Sequence, residues 1–286
     1  FLKIKKLYKM IMYIDQWNIG VIKNKPHYFL EESIEPEVDW LPLNSRKVFY
    51  ADPCAIETEN SLDIFLEEYP YKEGKGIISY SKYHNGHFTI PVPVLEEDFH
   101  LSFPFIFEYE NEIFMCPETN QKKEVRVYKC VDFPTKWEFH KTLMKNVSAA
   151  DTTIFKHDSK WWLLTNIDQS CVADHGCQLH IFSADNPLSE EWVTHENNPV
   201  IFDPLVARNG GLILEDDRII RVRQKYGFNQ YGKQISLSEI LTLTPDEFFE
   251  KQLKEIIPKF SKKIKGIHHL SSERSFSVID FVQDKS

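Results

Sequence analysis

Five short segments of this chain open alike, a polar or turn element feeding an apolar strand, and they recur at long, similar intervals. Asp52-Pro53 precedes CAIE, Phe103-Pro104 precedes FIFE, Asp151-Thr152 precedes TIFK, Arg208-Asn209 precedes GGLILE and His268-His269 precedes LSSE. The steps between them are 51, 48, 57 and 60 residues. That period suits one four-stranded antiparallel sheet per repeat, stacked radially. The chain is therefore predicted to be all-β, a five-bladed β-propeller.

Each repeat carries its own hairpin logic. FPFIFEYENEIFMCPE gives strand, turn at Glu110-Asn111 and strand; TTIFKHDSKWWLLTN repeats this about Asp158-Ser159, and GGLILEDDRIIRVRQ about Asp216-Asp217. Outer strands follow at VRVYKC and QLHIFSA, then a matched pair, FPTKWEFH and NPLSEEWVTH, which sets Trp137 and Trp192 in equivalent blade-packing places. The strand near WNIGVI and the segment from His268 to Val282 would close the ring by pairing the two ends, leaving no exposed sheet edge. A single domain spanning residues 1–286 is the expectation.

One helix is predicted against this background, decorating the propeller near residues 245–257. Thr244 is a good N-cap, Pro245 takes the first helical position, Glu247 can close a capping box, and Leu243 and Phe248 form a staple. It would end before Pro258. The basic run Lys259 to Lys265 after it reads as a solvated linker.

Composition narrows the function. The 286 residues hold 21 Phe, 12 Tyr and 6 Trp, an excess of flat side chains suited to stacked sheets or a sugar cleft. The formal charge of −9 disfavours non-specific nucleic-acid binding, which depends on phosphate neutralisation. Five cysteines (Cys54, Cys116, Cys130, Cys171 and Cys177) include no CxxC pair and read as free thiols, with no metal site. No secretory leader stands out, and no apolar run reaches the roughly 20 residues of a membrane span, so a cytoplasmic setting is expected. Residue 1 is Phe rather than Met, which leaves room for an earlier segment.

In a propeller the first residues of the inner strands converge on the axis. Asp52 and Asp151 open their blades, and Glu118 ends the second inner hairpin, so these three are the candidate catalytic residues. Carboxylates meeting in a cleft supply what glycosyl chemistry needs: proton transfer to or from oxygen, and stabilisation of positive charge on the ring. Asp at a strand start is also an ordinary turn element, and that reading stays open. A second group, His100, Arg208, Arg221, Arg223, Lys225 and Tyr231, is the candidate substrate-binding set, with Gln224 and Tyr226 beside it. Alternation puts Arg221, Arg223 and Lys225 on one strand face, fit either for an anionic ligand or for salt bridges to the acidic mouth. No cofactor motif is present; a divalent cation at the acidic axis is the one candidate.

These strings together resemble a known family. FYADPCAIE, HLSFPFIFEYENEIFMCPET, SAADTTIF, KWWLLT, ARNGGLI, RVRQKYGFNQYGKQISLSEI and GIHHLS are similar, in order, to the propeller at the N-terminus of plant glucosamine inositolphosphorylceramide transferases and of bacterial polysaccharide-biosynthesis proteins. That propeller is similar in fold to glycoside hydrolase family 43. The resemblance implies Asp52 as general base, since YADP matches the Asp-Pro base motif, and Asp151 as the Asp that modulates pKa and orients substrate. Glu118 lies outside the usual place of the acid. The function implied is glycosyl transfer, furanosyl in type, from a phosphorylated or nucleotide-linked donor to a glycan acceptor in surface-polysaccharide synthesis. A furanosidase-type glycoside hydrolase and a non-catalytic glycan-binding domain are the alternatives. The expected partners are the donor and the acceptor, within a larger multidomain chain or biosynthetic complex.

Overall fold

A computed structural model describes residues 16–23, 36–43, 45–59, 61–169, 174–215, 217–227, 230–258 and 264–283. Cys171, Asp216 of the turn expected in the fourth repeat, and residues 259–263 of the expected basic linker lie outside them.

The strands form five antiparallel sheets. Two early strands, β1 (Gln16–Ile22) and β2 (Val38–Trp40), belong to the last blade in space. Blade one holds β3 (Val48–Thr58), β4 (Ser61–Pro70), β5 (Ile77–His84), β6 (His87–Phe88) and β7 (Val92–Leu95). Blade two holds β8 (Ser102–Tyr109), β9 (Glu112–Glu118), β10 (Glu124–Asp132) and β11 (Lys136–Lys145). Blade three holds β12 (Ala149–His157), β13 (Lys160–Ile167), β14 (Gln178–Ala184), β15 (Val193–Thr194) and β16 (Ile201–Phe202). Blade four holds β17 (Asn209–Glu215), β18 (Arg218–Gly227), β19 (Gln230–Leu243) and β20 (Phe248–Ile256). Blade five joins β21 (Ile264–Gly266), β22 (Leu270–Ser272) and β23 (Ser277–Gln283) to β1 and β2, with Gln16 to Ile22 paired antiparallel to Gln283 to Ser277.

The core explains why the sheets stack in a ring. Successive side chains of a strand point to opposite faces, and the buried apolar residues accordingly sort into one large cluster between each pair of neighbouring blades, with a small sixth at Trp17, Ala51 and Val282. On β13, Trp161 and Leu163 face blade two, while Trp162 and Leu164 face blade four. On β4, Ile64 and Leu66 face blade five, while Phe65 faces blade two. The cluster joining blades four and five, with Ile213, Val222, Ile279 and Phe281, completes the circle. Burying a large aliphatic or aromatic side chain stabilises by about 1.5–3 kcal/mol, and here both faces of the central strands collect it.

The turns expected at Glu110-Asn111 and Asp158-Ser159 are present, with all four residues at positive φ, as two-residue hairpin turns of matching twist require. The expected helix at 245–257 is absent: β20 occupies Phe248–Ile256 and pairs along β19. The hydroxyl of Thr244 does accept the Glu247 N–H at 2.9 Å, but Thr244 N–H also donates to Glu247 O at 2.9 Å, which closes a hairpin turn. A capping signal and a turn signal share the same residues, and the blade's vacant edge decided between them.

Candidate active site

Four of the five openings lie at or beside backbone bulges. In blades one, two and three the inner-strand register slips between Ala51 and Cys54, Ser102 and Phe105, and Ala150 and Thr153. The extra residues Asp52, Phe103 and Asp151 have φ of 49°, 45° and 49°. Positive φ is unfavourable for side-chain-bearing residues, and bulges re-aim a side chain. Blade four slips at Gly210-Gly211, one step after the Arg208-Asn209 pair noted in the sequence. A Cβ on Gly211 would lie 2.1 Å from Leu270 O, so only glycine fits there.

Opposite these bulges stand residues in matched register. Glu67 faces Ala51, Glu118 faces Ser102 and Asn166 faces Ala150. Asn166 pins the approach to blade four: its amide donates to Ala207 O at 2.9 Å and its oxygen accepts Asn209 N–H at 2.8 Å. Arg208, between those residues, is thereby held at the mouth. Its Nε lies 2.5 Å from Asp151 Oδ2 and its Nη2 lies 3.9 Å from Glu118 Oε2. Gln224 donates to Asp151 Oδ2 at 3.0 Å.

A second pairing closes the ring. Asp280 Oδ1 accepts the backbone N–H groups of His268 and His269 at 3.0 and 2.9 Å, and its Oδ2 accepts the Asp52 N–H at 3.2 Å. Asp280 Oδ2 also pairs with His268 Nδ1, while His268 Nε2 faces Asp52 Oδ1 at 3.5 Å. Burial opposes charge on His268, but Asp280 and Asp52 outweigh it and hold the imidazole up at about 9. Burial likewise opposes ionisation of Asp280, and the His268 charge overrides it, keeping that carboxyl below its usual range.

Between the ion pairs Arg208–Asp151 and His268–Asp280 lie three carboxyls whose hold on a proton is strengthened. Burial is the main cause at each. Asp52 is pushed up to about 7, with His268 opposing and Asp280 and Asp151 adding to the rise. Glu118 is pushed up to about 8 by burial and then by Asp151, with Arg208 opposing. Glu67 is raised well above its usual value by burial, then by Asp52 and Glu118. The mouth therefore holds both a carboxyl that ionises near neutrality and one that stays protonated.

His100 borders this group. Its Nδ1 accepts the Gly76 N–H at 2.9 Å, which turns Nε2 toward Glu67 Oε1 at 3.6 Å. Tyr231 lies on the other side, edge-on to the His268 ring at 5.1 Å, stacked on Tyr226 at 5.4 Å and near Trp17 at 6.2 Å. Tyr231 is exposed, so these rings form an open aromatic wall beside the carboxyls. Such a wall suits the apolar face of a sugar.

Of the residues singled out in the sequence, Asp52, Asp151, Glu118, Arg208, His100 and Tyr231 come together. Arg221, Arg223 and Lys225 do not join them. Arg221 is 1 % exposed and reaches across the sheet to Glu250, donating also to Val206 O and Ala207 O. Arg223 donates to Ser236 Oγ, Glu250 and Gln252, and Lys225 pairs with Glu255. The small Ser236 and Ser238 leave room on β19 for the two guanidinium groups to cross. These cations knit blade four through Glu250, Gln252 and Glu255. Sequence reading missed Glu67, His268 and Asp280 as site residues. Glu67 was findable from its register match to Glu118; Asp280 required the contact, 228 residues away in sequence, with Asp52.

The axial donor atoms of Asp52, His268 and Asp280 lie within 4.8 Å of one another. The set offers one imidazole nitrogen beside two carboxylates, a mixed donor set that suits a borderline divalent cation better than calcium, which takes oxygen ligands.

The chain matches the family described as glucosamine inositolphosphorylceramide transferase 1, N-terminal, over residues 42–282. It is 34 % identical over 210 residues to glucosamine inositolphosphorylceramide transferase 1 of Arabidopsis thaliana, and 32 % over 207 residues to that of Oryza sativa subsp. japonica. These matches cover 72 % and 71 % of this chain but 27 % of each relative, so the chain spans about a quarter of the curated relatives' length. Among solved structures, a family 117 glycoside hydrolase from Zobellia galactanivorans is similar at a TM-score of 0.60 and 10 % identity, over 95 % of this chain and 91 % of that one. An α-L-arabinofuranosidase from Podospora anserina is similar at 0.57 and 9 % identity, over 94 % and 98 %. At such identities the likeness is one of fold.

Proposed function

From the premise that the chain belongs to the glucosamine inositolphosphorylceramide transferase 1 N-terminal family, we propose that it is a glycosyl-transfer domain working at the mouth of its propeller. The observation that carries this is the pair of buried carboxyls, Asp52 and Glu118, set between two buried ion pairs, with Asp52 ionising at lower pH than Glu118.

In this reading a sugar lies against Tyr231 and Tyr226 with its anomeric carbon over the carboxyls. Asp52, ionised in part near neutrality, takes the proton of the acceptor hydroxyl. That oxygen bonds to the anomeric carbon as the bond to the leaving oxygen breaks, and Glu118 supplies the leaving oxygen with a proton. Asp151, oriented by Arg208 and Gln224, faces the positive charge that develops on the ring. Arg208 and His268 are the cations that border the carboxyls, each paired with one of the acidic groups there. The names of the plant relatives support transfer in glycan synthesis. The furanosyl element draws its support from the arabinofuranosidases that share the fold. The setting proposed is a cytoplasmic biosynthetic complex that brings donor and acceptor together.

Hydrolysis is the second reading, favoured by one observation: Glu118 keeps the proton that an unactivated leaving group needs. Assays with phosphorylated sugar donors and glycan acceptors, each alone and together, separate the two. Transfer predicts product only when both are present. Sugar release from a plain furanoside in water, without an activated donor, assigns hydrolysis instead.

A further inference from the structure

Transfer needs places for two sugars, and the Tyr231 wall of the mouth holds one. A second aromatic wall lies on blade one. There Phe49 of β3 and Tyr69 of β4 are cross-strand partners whose rings stack, 7° apart in plane and 4.8 Å between centres. Tyr71 meets Phe49 at 5.9 Å, and His100 meets Tyr69 at 5.9 Å. All four rings are only partly buried. Phe49 also packs against the small cluster that holds Trp17, and Trp17 stands 6.2 Å from Tyr231, so one aromatic rim continues from blade four to blade one.

Beside this wall stands a carboxyl without a hydrogen bond. Glu67 lies on the same face of β4 as Tyr69. Its side chain is 8 % exposed, and it makes no hydrogen bond among the described residues. Its contact with His100 Nε2, at 3.6 Å, is too long for one. Buried polar groups in native folds are ordinarily paired, and an exception calls for a reason.

The approach of His100 to Glu67 is built into the backbone. A Cβ on Gly76 would lie 2.5 Å from Leu101 O, 2.7 Å from Glu67 Oε1 and 2.7 Å from His100 Cε1, so only glycine leaves the space between them open. The Gly76 N–H donates to His100 Nδ1 at 2.9 Å, which puts the hydrogen of the neutral ring on Nε2, facing Glu67. A donor and a carboxyl at this separation can share one hydroxyl, which accepts from Nε2–H and donates to Oε1. Aromatic faces beside such a pair suit a neutral polyol, whereas the carboxyl repels a phosphate.

Resting on the reading that this domain transfers glycosyl groups, we propose that Glu67, His100, Tyr69 and Phe49 form its acceptor subsite, which takes a neutral sugar unit. The apolar C–H face of that sugar lies on the Tyr69 and Phe49 rings, and one hydroxyl bridges Glu67 and His100. Glu67 stands opposite Ala51 in register, one residue from Asp52. A second hydroxyl of the same ring is thereby set beside Asp52, the group that takes its proton.

The test is binding of the neutral methyl pyranosides of glucose, galactose, mannose and N-acetylglucosamine, measured by saturation-transfer NMR with no donor present. At least one should bind at millimolar concentration. Glu67→Ala and Tyr69→Ala should each weaken it by about tenfold, the effect of one hydrogen bond or ring contact. Glu67→Gln, which keeps a polar group in place, should weaken it less. Glu67→Ala should leave Tm unchanged or raise it, because it removes a buried carboxyl that has no hydrogen bond. No glycoside bound, affinity that survives Glu67→Ala and Tyr69→Ala, affinity lost instead in Tyr231→Ala, or a Tm lowered in Glu67→Ala overturns the proposal. Binding needs no turnover, so the two readings fail separately. Glycoside bound in this way by a protein that forms no product removes transfer and leaves the sugar site, whereas transfer with an acceptor KM unmoved by Glu67→Ala does the reverse.

Discussion

Arg208 reaches from the threshold of blade four to Asp151 at the bulge of blade three, Nε to Oδ2 at 2.5 Å, in a place where both side chains are almost wholly buried. Breaking one member of a buried pair leaves an uncompensated charge, which costs about 3–5 kcal/mol. Arg208→Met should therefore destabilise the protein by that order in denaturant unfolding, and Arg208→Lys by less. Arg208 also opposes the rise of Glu118. In an Arg208→Met protein that folds, the alkaline limb of activity should move to higher pH; an unchanged limb would separate Arg208 from the acid.

The pH dependence of kcat/KM should be a narrow bell. Asp52 works ionised, so the rate rises as pH passes about 7; Glu118 works protonated, so the rate falls as pH passes about 8. The two carboxyls interact, so the limbs report the cluster as a whole. Glu118→Gln should lower the rate by about 10²–10⁴-fold and flatten the alkaline side, while a profile still falling near pH 8 in that variant would exclude Glu118 as the acid.

The cations of β18 should behave as structural groups. Glu250 accepts from both Arg221 and Arg223, and the two guanidinium groups hold its carboxyl below the usual range against the effect of burial. Glu250→Ala should cost about 3–5 kcal/mol in chemical denaturation. Arg223→Met should lower Tm yet leave the donor KM unchanged, and a donor KM raised in parallel with retained Tm would restore these arginines to substrate binding.

These residues show what sequence can and cannot reveal. The repeated openings were legible because the bulge recurs at the same place in successive blades: Asp52, Phe103 and Asp151 share a backbone conformation as well as a position. The strand at Phe248 to Ile256 was not, because TPDEFFEKQLKEI satisfies helix signals locally, and what selects a strand is the open edge of β19 and the Arg221–Glu250 pair. Alternation placed Arg221, Arg223 and Lys225 on one face correctly, but their partners sit 29 and 30 residues away across Ser236 and Ser238. Periodicity within a strand says which face a side chain takes and nothing of what lies opposite. His268 and Asp280 owe their roles to ring closure, which joins the last blade to the first.

The central claim is that Asp52 handles the acceptor's proton at the mouth. It is tested most directly by single-turnover product formation in Asp52→Asn with donor and acceptor saturating, alongside sugar affinity measured by calorimetry. The account predicts a rate lower by about 10²–10⁴-fold with affinity nearly retained; product formed at the wild-type rate would contradict it.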